Sequence, residues 1–248
     1  MDPNAPAAPT APAKGKTSPW VYVGCGCALA LLLAGLAVLF IGRKIVEQGH
    51  KMEQGLADPK VREQRTRALL AYRELPAGYY PMGGLSVPFL VDLAFLGDHP
   101  PAPGQTRVEF DDHGFIFVKV HPGRLSNTAE GRRRMLYGSG GRSPWEQGSG
   151  FRIESREPLG DGEVTAGGAH VLYRTTRGDV NMNGRRHRGI TGTQLIECPD
   201  RRIRVGVWFA RDPAPDQPTI ALDKTGTPAD PKAIVAFLDH FQLCAGGR

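Results

Sequence analysis

Ile190-Thr191-Gly192-Thr193-Gln194-Leu195-Ile196-Glu197-Cys198-Pro199-Asp200-Arg201-Arg202-Ile203-Arg204-Val205-Gly206-Val207-Trp208-Phe209-Ala210 is the stretch whose reading decides the fold. Pro199-Asp200 is turn chemistry between two runs rich in β-branched and aromatic residues. The runs read as strands, Ile190 to Glu197 and Ile203 to Ala210, joined so that Glu197 faces Arg202 across the turn. In the second run Ile203, Val205, Val207 and Phe209 alternate with Arg202, Arg204 and Trp208, the period of two that a strand requires.

Working outward, further strands are expected at Phe151 to Glu157 and Ala169 to Thr176. Ser86 to Leu96 reads as a strand pair or one interrupted strand. Arg107 to Phe110 and Phe115 to Val120 flank Asp111-Asp112-His113-Gly114, which predicts a hairpin. Helices are expected in three places. Asp58-Pro59 supplies an N-cap and a proline at the first helical position, followed by a stripe of Val61, Ala68, Leu69, Tyr72 and Leu75 that ends at Pro76 and Gly78. Asn127 and Glu130 form a capping box for a helix reaching about Tyr137. Asp230-Pro231 opens the last helix, with Ile234, Phe237, Leu238 and Phe241 facing inward. With 32 glycines and 21 prolines the composition is rich in turns, which favours a sheet over a helical bundle. Short turns, not helices, join the strands, so the fold class expected is α+β: an antiparallel β-sheet domain with packed helices.

The N-terminal part reads differently. No charge occurs between Lys16 and Arg43, and Trp20 to Ile41 as a helix would span about 33 Å, the thickness of a bilayer core. Trp20 and Tyr22 at one end, with Arg43 and Lys44 at the other, are residues suited to the two interfaces. The sequence therefore predicts a disordered Pro/Ala-rich tail over 1–19, a single transmembrane helix over 20–41, a juxtamembrane stalk over 42–57 and a folded α+β domain over 58–248. It places that domain outside the cytoplasm, anchored in the membrane by an uncleaved signal anchor. Gly26, Ala30 and Ala34 share one face of the expected helix and suit self-association.

Cys198 and Cys244 are the two cysteines of the folded part, a number that permits one disulfide. No histidine lies in a metal-binding spacing, and the cluster Asp111, Asp112 and His113 reads as a solvated hairpin tip. No serine of the glycine-rich segment Gly138 to Gly150 has the glycines of a nucleophile elbow. No cofactor is expected, and no nucleic-acid-reading module is recognisable. Net charge is +6, and arginine clusters carry much of it. Arg185, Arg186 and Arg188, with Arg202 and Arg204, are the candidate anion-binding residues, suited to an anionic lipid surface or to a solvated sheet face.

Phe151 to Cys244 resembles the PsbP-like group of α/β/α sandwiches, in the strand Arg201-Arg202-Ile203-Arg204-Val205-Gly206-Val207-Trp208 and the closing helix Ile234 to Phe241. The resemblance covers about two fifths of the chain and implies a non-enzymatic assembly or accessory module on a membrane face. The function expected is accordingly a membrane-anchored, non-catalytic module with a protein partner near the lipid bilayer. The rival is a tethered enzyme of hydrolase type that uses Gly138 to Gly150 as its site.

Overall fold

The computed structural model describes residues 57–87, 90–120, 131, 136, 152–153, 157–182, 185–200 and 202–245. Contacts divide the chain into Met1–His50 and Lys51–Arg248, and every described residue lies in the second unit.

Helix α1, Pro59–Leu70, starts as the sequence predicts, with Asp58 Oδ1 accepting the Lys60 N–H at 2.9 Å and Pro59 where no N–H is needed. It ends earlier, because Ala71 takes φ +49° and donates to Arg67 O at 2.8 Å. A left-handed residue closes a helix even when it is not glycine. The inward stripe is also rotated, to Arg62, Thr66 and Leu70. Arg62 can point inward because its stem packs while Nη1 donates to Gln105 O at 3.3 Å.

Eight strands follow: β1 Tyr80–Val87, β2 Val91–Gly97, β3 His113–Val120, β4 Arg152–Ile153, β5 Glu157–Ala166, β6 Ala169–Met182, β7 Arg185–Glu197 and β8 Ile203–Arg211. They form one antiparallel sheet in the order β1-β2-β3-β8-β7-β6, with β4 and β5 both pairing β6. Strand β8 is buried from Ile203 to Phe209 on both faces, as a central strand should be. Its register differs by one from expectation, since Glu197 pairs with Ile203 and not with Arg202. The hairpin expected across Asp111 to Gly114 is absent: β3 pairs with β2 and β8, and residues 107–110 are not a strand. Asp98 Oδ2 accepts the backbone N–H groups of Asp111, Asp112 and His113, which turns the chain into β3 without a pairing strand before it.

Helix α2, Pro231–Leu238, is capped by Asp230, whose Oδ1 accepts the Lys232 N–H at 2.9 Å. Its Ile234, Phe237 and Leu238, continued by Phe241 and Leu243, cover the sheet face formed by Ala94, Leu96, Phe115, Phe117, Val171, Tyr173, Ile196 and Trp208. Trp208 stacks on Phe237 at 4.5 Å and donates from Nε1 to Tyr79 Oη at 2.6 Å. Burial drives the Tyr79 phenol well above its ordinary pKa. The opposite face carries Val118, Leu172, Leu195, Val205, Val207 and Phe209, with Phe110 and Leu136 packed on it.

Two features fix the C-terminal end. Gly167 and Gly168 turn β5 into β6 with φ +56° and +72°, positions that a tight hairpin of this hand requires of both residues. Gly167 also donates to Asp239 Oδ1 at 2.8 Å, and a Cβ on it would meet Phe241 O at 2.8 Å. Cys198 and Cys244 are disulfide-bonded with Cα atoms 5.4 Å apart and a separation of 46 residues, a loop whose closure removes roughly 4 kcal/mol of unfolded-chain entropy.

These elements correct the α+β expectation. The described residues form mostly antiparallel sheet, with helices of only 12 and 8 residues. The sequence reading gave helices too much weight because the cap signals at Asp58 and Asp230 are strong while the strands β5 and β6 run longer than their apolar patterns. The membrane reading is corrected as well. Among the described residues no helix is long and apolar enough to cross a membrane, and the stretch Trp20 to Ile41 on which that reading rested lies outside them. The single-pass anchor, the placement outside the cytoplasm and the membrane-bound function are therefore not carried further. The tail over 1–19, the stalk over 42–56, the pattern Gly26, Ala30 and Ala34, most of the helix from Asn127 to Tyr137 and the segment Gly138 to Gly150 also lie outside the described residues.

Candidate functional site

After Arg211 the chain reads Asp212-Pro213-Ala214-Pro215-Asp216-Gln217-Pro218-Thr219-Ile220-Ala221-Leu222. Three prolines in six residues remove the N–H donors that another strand or helix would need. Four acceptors of this loop, on Asp212, Ala214, Gln217 and Thr219, are instead bound by one side chain. Glu157, Arg177, Ile190 and Ala210 form a rung across β5, β6, β7 and β8, and from it Arg177 reaches the loop with its guanidinium wholly buried.

Arg177 donates from Nε to Asp212 Oδ2 at 2.6 Å, from Nη1 to Gln217 O at 2.7 Å and Thr219 Oγ1 at 3.1 Å, and from Nη2 to Ala214 O at 2.6 Å. The planar fork suits this work, because one rigid group meets acceptors at the start, middle and end of the loop. Asp212 accepts the Ala214 N–H at its other oxygen, 3.0 Å away. The Thr219 hydroxyl donates to Glu157, which also accepts from Arg188 Nη2 at 2.9 Å. That hydroxyl, followed by the charges of Arg188 and Arg177, holds the Glu157 carboxyl below its usual range.

Beneath the loop Ala214 and Leu222 pack on Leu159, Ile190 and Ala229, a small core separate from the two on the sheet faces. Pro213, Pro215, Asp216, Gln217, Pro218, Ile220 and Ala221 face outward. Ile220, in the 3-10 turn Thr219–Ala221, is 97% exposed. A loop without regular structure is thus fixed by a buried fork above its own apolar floor, and it presents an uncovered branched side chain.

The arginines singled out by sequence do not converge. Arg186 pairs with Asp179 at 2.6 Å and Arg188 with Glu157, while only the backbone of Arg185 is described, as the first residue of β7. Arg204 has no exposed side chain and binds Asp200 through Nη1 and Nη2, both at 2.6 Å, and Arg202 Nε lies 3.7 Å from the same carboxylate. Arg186 and the residue opposite Arg204, Ile196, are ten residues apart on β7, or about 33 Å. A carboxylate faces each of the four arginines whose side chains are described.

Asp98, His99 and Asp111 bring potential ligand atoms within 4.8 Å of one another. Asp98 is already engaged on both oxygens, with His99 Nδ1 at 2.6 Å and three backbone N–H groups. Burial pushes its carboxyl up, but the N–H groups and His99 outweigh that and hold it below the ordinary range. This is a turn-forming carboxylate. Sequence reasoning passed over Arg177, Asp212 and the loop they hold. The dense Asp-Pro run after a strand was the available signal, but nothing local tells that an arginine 35 residues earlier supplies the bonds. No family model, curated protein or solved structure matches the chain.

Proposed function

We propose that the domain is a non-catalytic interaction module that holds a protein partner through the loop Asp212 to Leu222. One observation carries this reading. A wholly buried guanidinium, that of Arg177, directs four hydrogen bonds to a surface loop whose outward tip is the apolar Ile220. A loop ordered before binding loses little conformational freedom when a partner takes it up, and rigid presentation is how contact loops gain affinity. The resemblance of Phe151 to Cys244 to the PsbP-like group points to the same class, an accessory module without catalysis.

The test is photo-crosslinking in the cells that make the protein, with a crosslinking residue placed in the full-length chain at position 220 or, as control, at exposed Ala236 of α2. The expected result is a discrete adduct from position 220 and none from 236. Equal adducts from both positions, or none from 220, would remove the reading. Turnover of ester or phosphoester substrates by the same purified chain would replace it with the hydrolase reading.

A further inference from the structure

Resting on the interaction reading above, we infer that Ile220 is a plug, and that the partner offers an apolar pocket of branched-aliphatic size with a cationic rim. The side chain itself gives the first half. Ile220 is 97% exposed while both of its neighbours along the loop that point inward, Thr219 and Leu222, are tied down, one by Arg177 and Glu157 and the other by the floor of Leu159, Ile190 and Ala229. The β-branched side chain has few rotamers to lose and stands on a 3-10 turn that cannot withdraw it. Pro213, Pro215 and Pro218 are exposed along the same loop, so apolar side chains make up most of its outward surface, interrupted by Asp216 and Gln217.

Charge gives the second half. The chain carries +6 overall, yet the exposed ionisable groups on either side of Ile220 are Asp216 and Asp223. Asp223 is held ionised below its ordinary range by the Thr225 backbone N–H and hydroxyl. Lys224, the nearest cation in sequence, is turned inward, with Nζ donating to Leu159 O. Arg177 and Arg188 are committed to Asp212 and Glu157. Along the chain the apolar tip is therefore flanked by exposed carboxylates, on a basic protein. Its complement is an apolar pocket bordered by lysine or arginine, and a pocket with an acidic border would be repelled.

Position 217 allows the inference to be separated from the reading it rests on. Gln217 is exposed beside the tip, so a photo-crosslinking residue there in the full-length chain reports contact while residue 220 is varied. Expected are an unchanged adduct in Ile220→Val, at least a tenfold loss in Ile220→Asn, and a clear loss when Asp216→Lys and Asp223→Lys are combined, with the parent adduct weakening as salt is raised. An undiminished adduct in Ile220→Asn overturns the plug while leaving the loop as a contact surface. An adduct that survives the charge reversal and added salt overturns the cationic rim. If the parent gives no adduct at position 217, the loop is not a contact surface and both readings fall. All variants should show the parent's unfolding midpoint, because none of the altered side chains is buried.

Discussion

Arg177 and Arg204 both have fully buried side chains, yet one gathers distant chain and the other serves its own turn. Arg204 closes on Asp200, four residues before it, with Nη1 and Nη2, and its Nε has no hydrogen-bond partner. Arg177 makes four bonds to residues 35 to 42 positions ahead. A buried guanidinium carries a large desolvation cost in either case. Around Arg204 that cost is offset within one hairpin, by a carboxylate four residues away. Around Arg177 it is offset only once β6, β7, β8 and the loop are all in place, so its bonds specify tertiary structure.

Arg177→Met is the substitution with the largest expected effect, because it takes from the buried Asp212 carboxylate its partner at 2.6 Å and leaves only Arg188 Nε at 3.7 Å. A loss of about 3–5 kcal/mol is expected in urea unfolding of the full-length chain. Arg177→Met combined with Asp212→Leu should recover part of it, since the orphaned charge goes too. A double variant as unstable as the sum of the single ones would break the comparison, by showing that the two residues do not act as a pair.

The local arginine should show itself in acid. Its hydrogen bonds hold the Asp200 carboxyl at about 2, with burial acting the other way. A folded pKa below the unfolded value of 3.8 gives stability that is fully present above 3.8 and lost as pH falls through about 2. The difference in unfolding midpoint between the parent and Asp200→Asn should thus be constant near neutrality and shrink over that window. A difference that does not change with acid would mean that Arg204 is not held by this charge.

His170 supplies the exposed end of the comparison and the smallest effect. Glu197 at 3.0 Å raises its pKa above 6.5 against the opposing effect of burial, and Glu163 at 3.2 Å adds to the rise. The sign is opposite to that of Asp200: the contribution is present below 6.5 and lost as pH rises through the folded value. With 44% of the His170 side chain exposed, solvent and salt screen the pair strongly. Proton NMR of the ring should give a titration midpoint above 6.5 that moves down on adding salt. His170→Gln should alter stability only slightly, and only on the acid side.

The same contrast divides what could be read from the sequence. Caps, turns and alternating strands depend on neighbours a few residues away, and so Asp58, Asp230 and the alternation from Ile203 to Phe209 were legible. The face of α1 was misread because a stripe counted by hydrophobicity misses Arg62, whose stem packs as an apolar group. Strand β5 was missed beyond its first residue, Glu157, because Pro158, Gly160, Asp161 and Gly162 look like a loop, and the ladder with β6 overrides that local preference. The loop after Asp212 was invisible as a site for the same reason that makes it one, since its order comes from a residue on another strand.

Because β3 pairs with β8, the middle of the sheet cannot close while the ribosome is still making the second half of the domain. His113 waits for Ala210, 97 residues later, and Val120 for Ile203, 83 residues later. At ordinary rates of translation that is roughly 4–20 s during which the β1-β2-β3 meander stands with an open apolar edge. Holding the nascent chain once Val120 has emerged from the ribosome should expose that edge to chaperones, and release should follow only after Arg211 has emerged. The loop that Arg177 fixes leaves directly from β8, so it takes its shape after that edge is sealed. Any molecule that grips Ile220 then distinguishes finished copies of the protein from those still under manufacture.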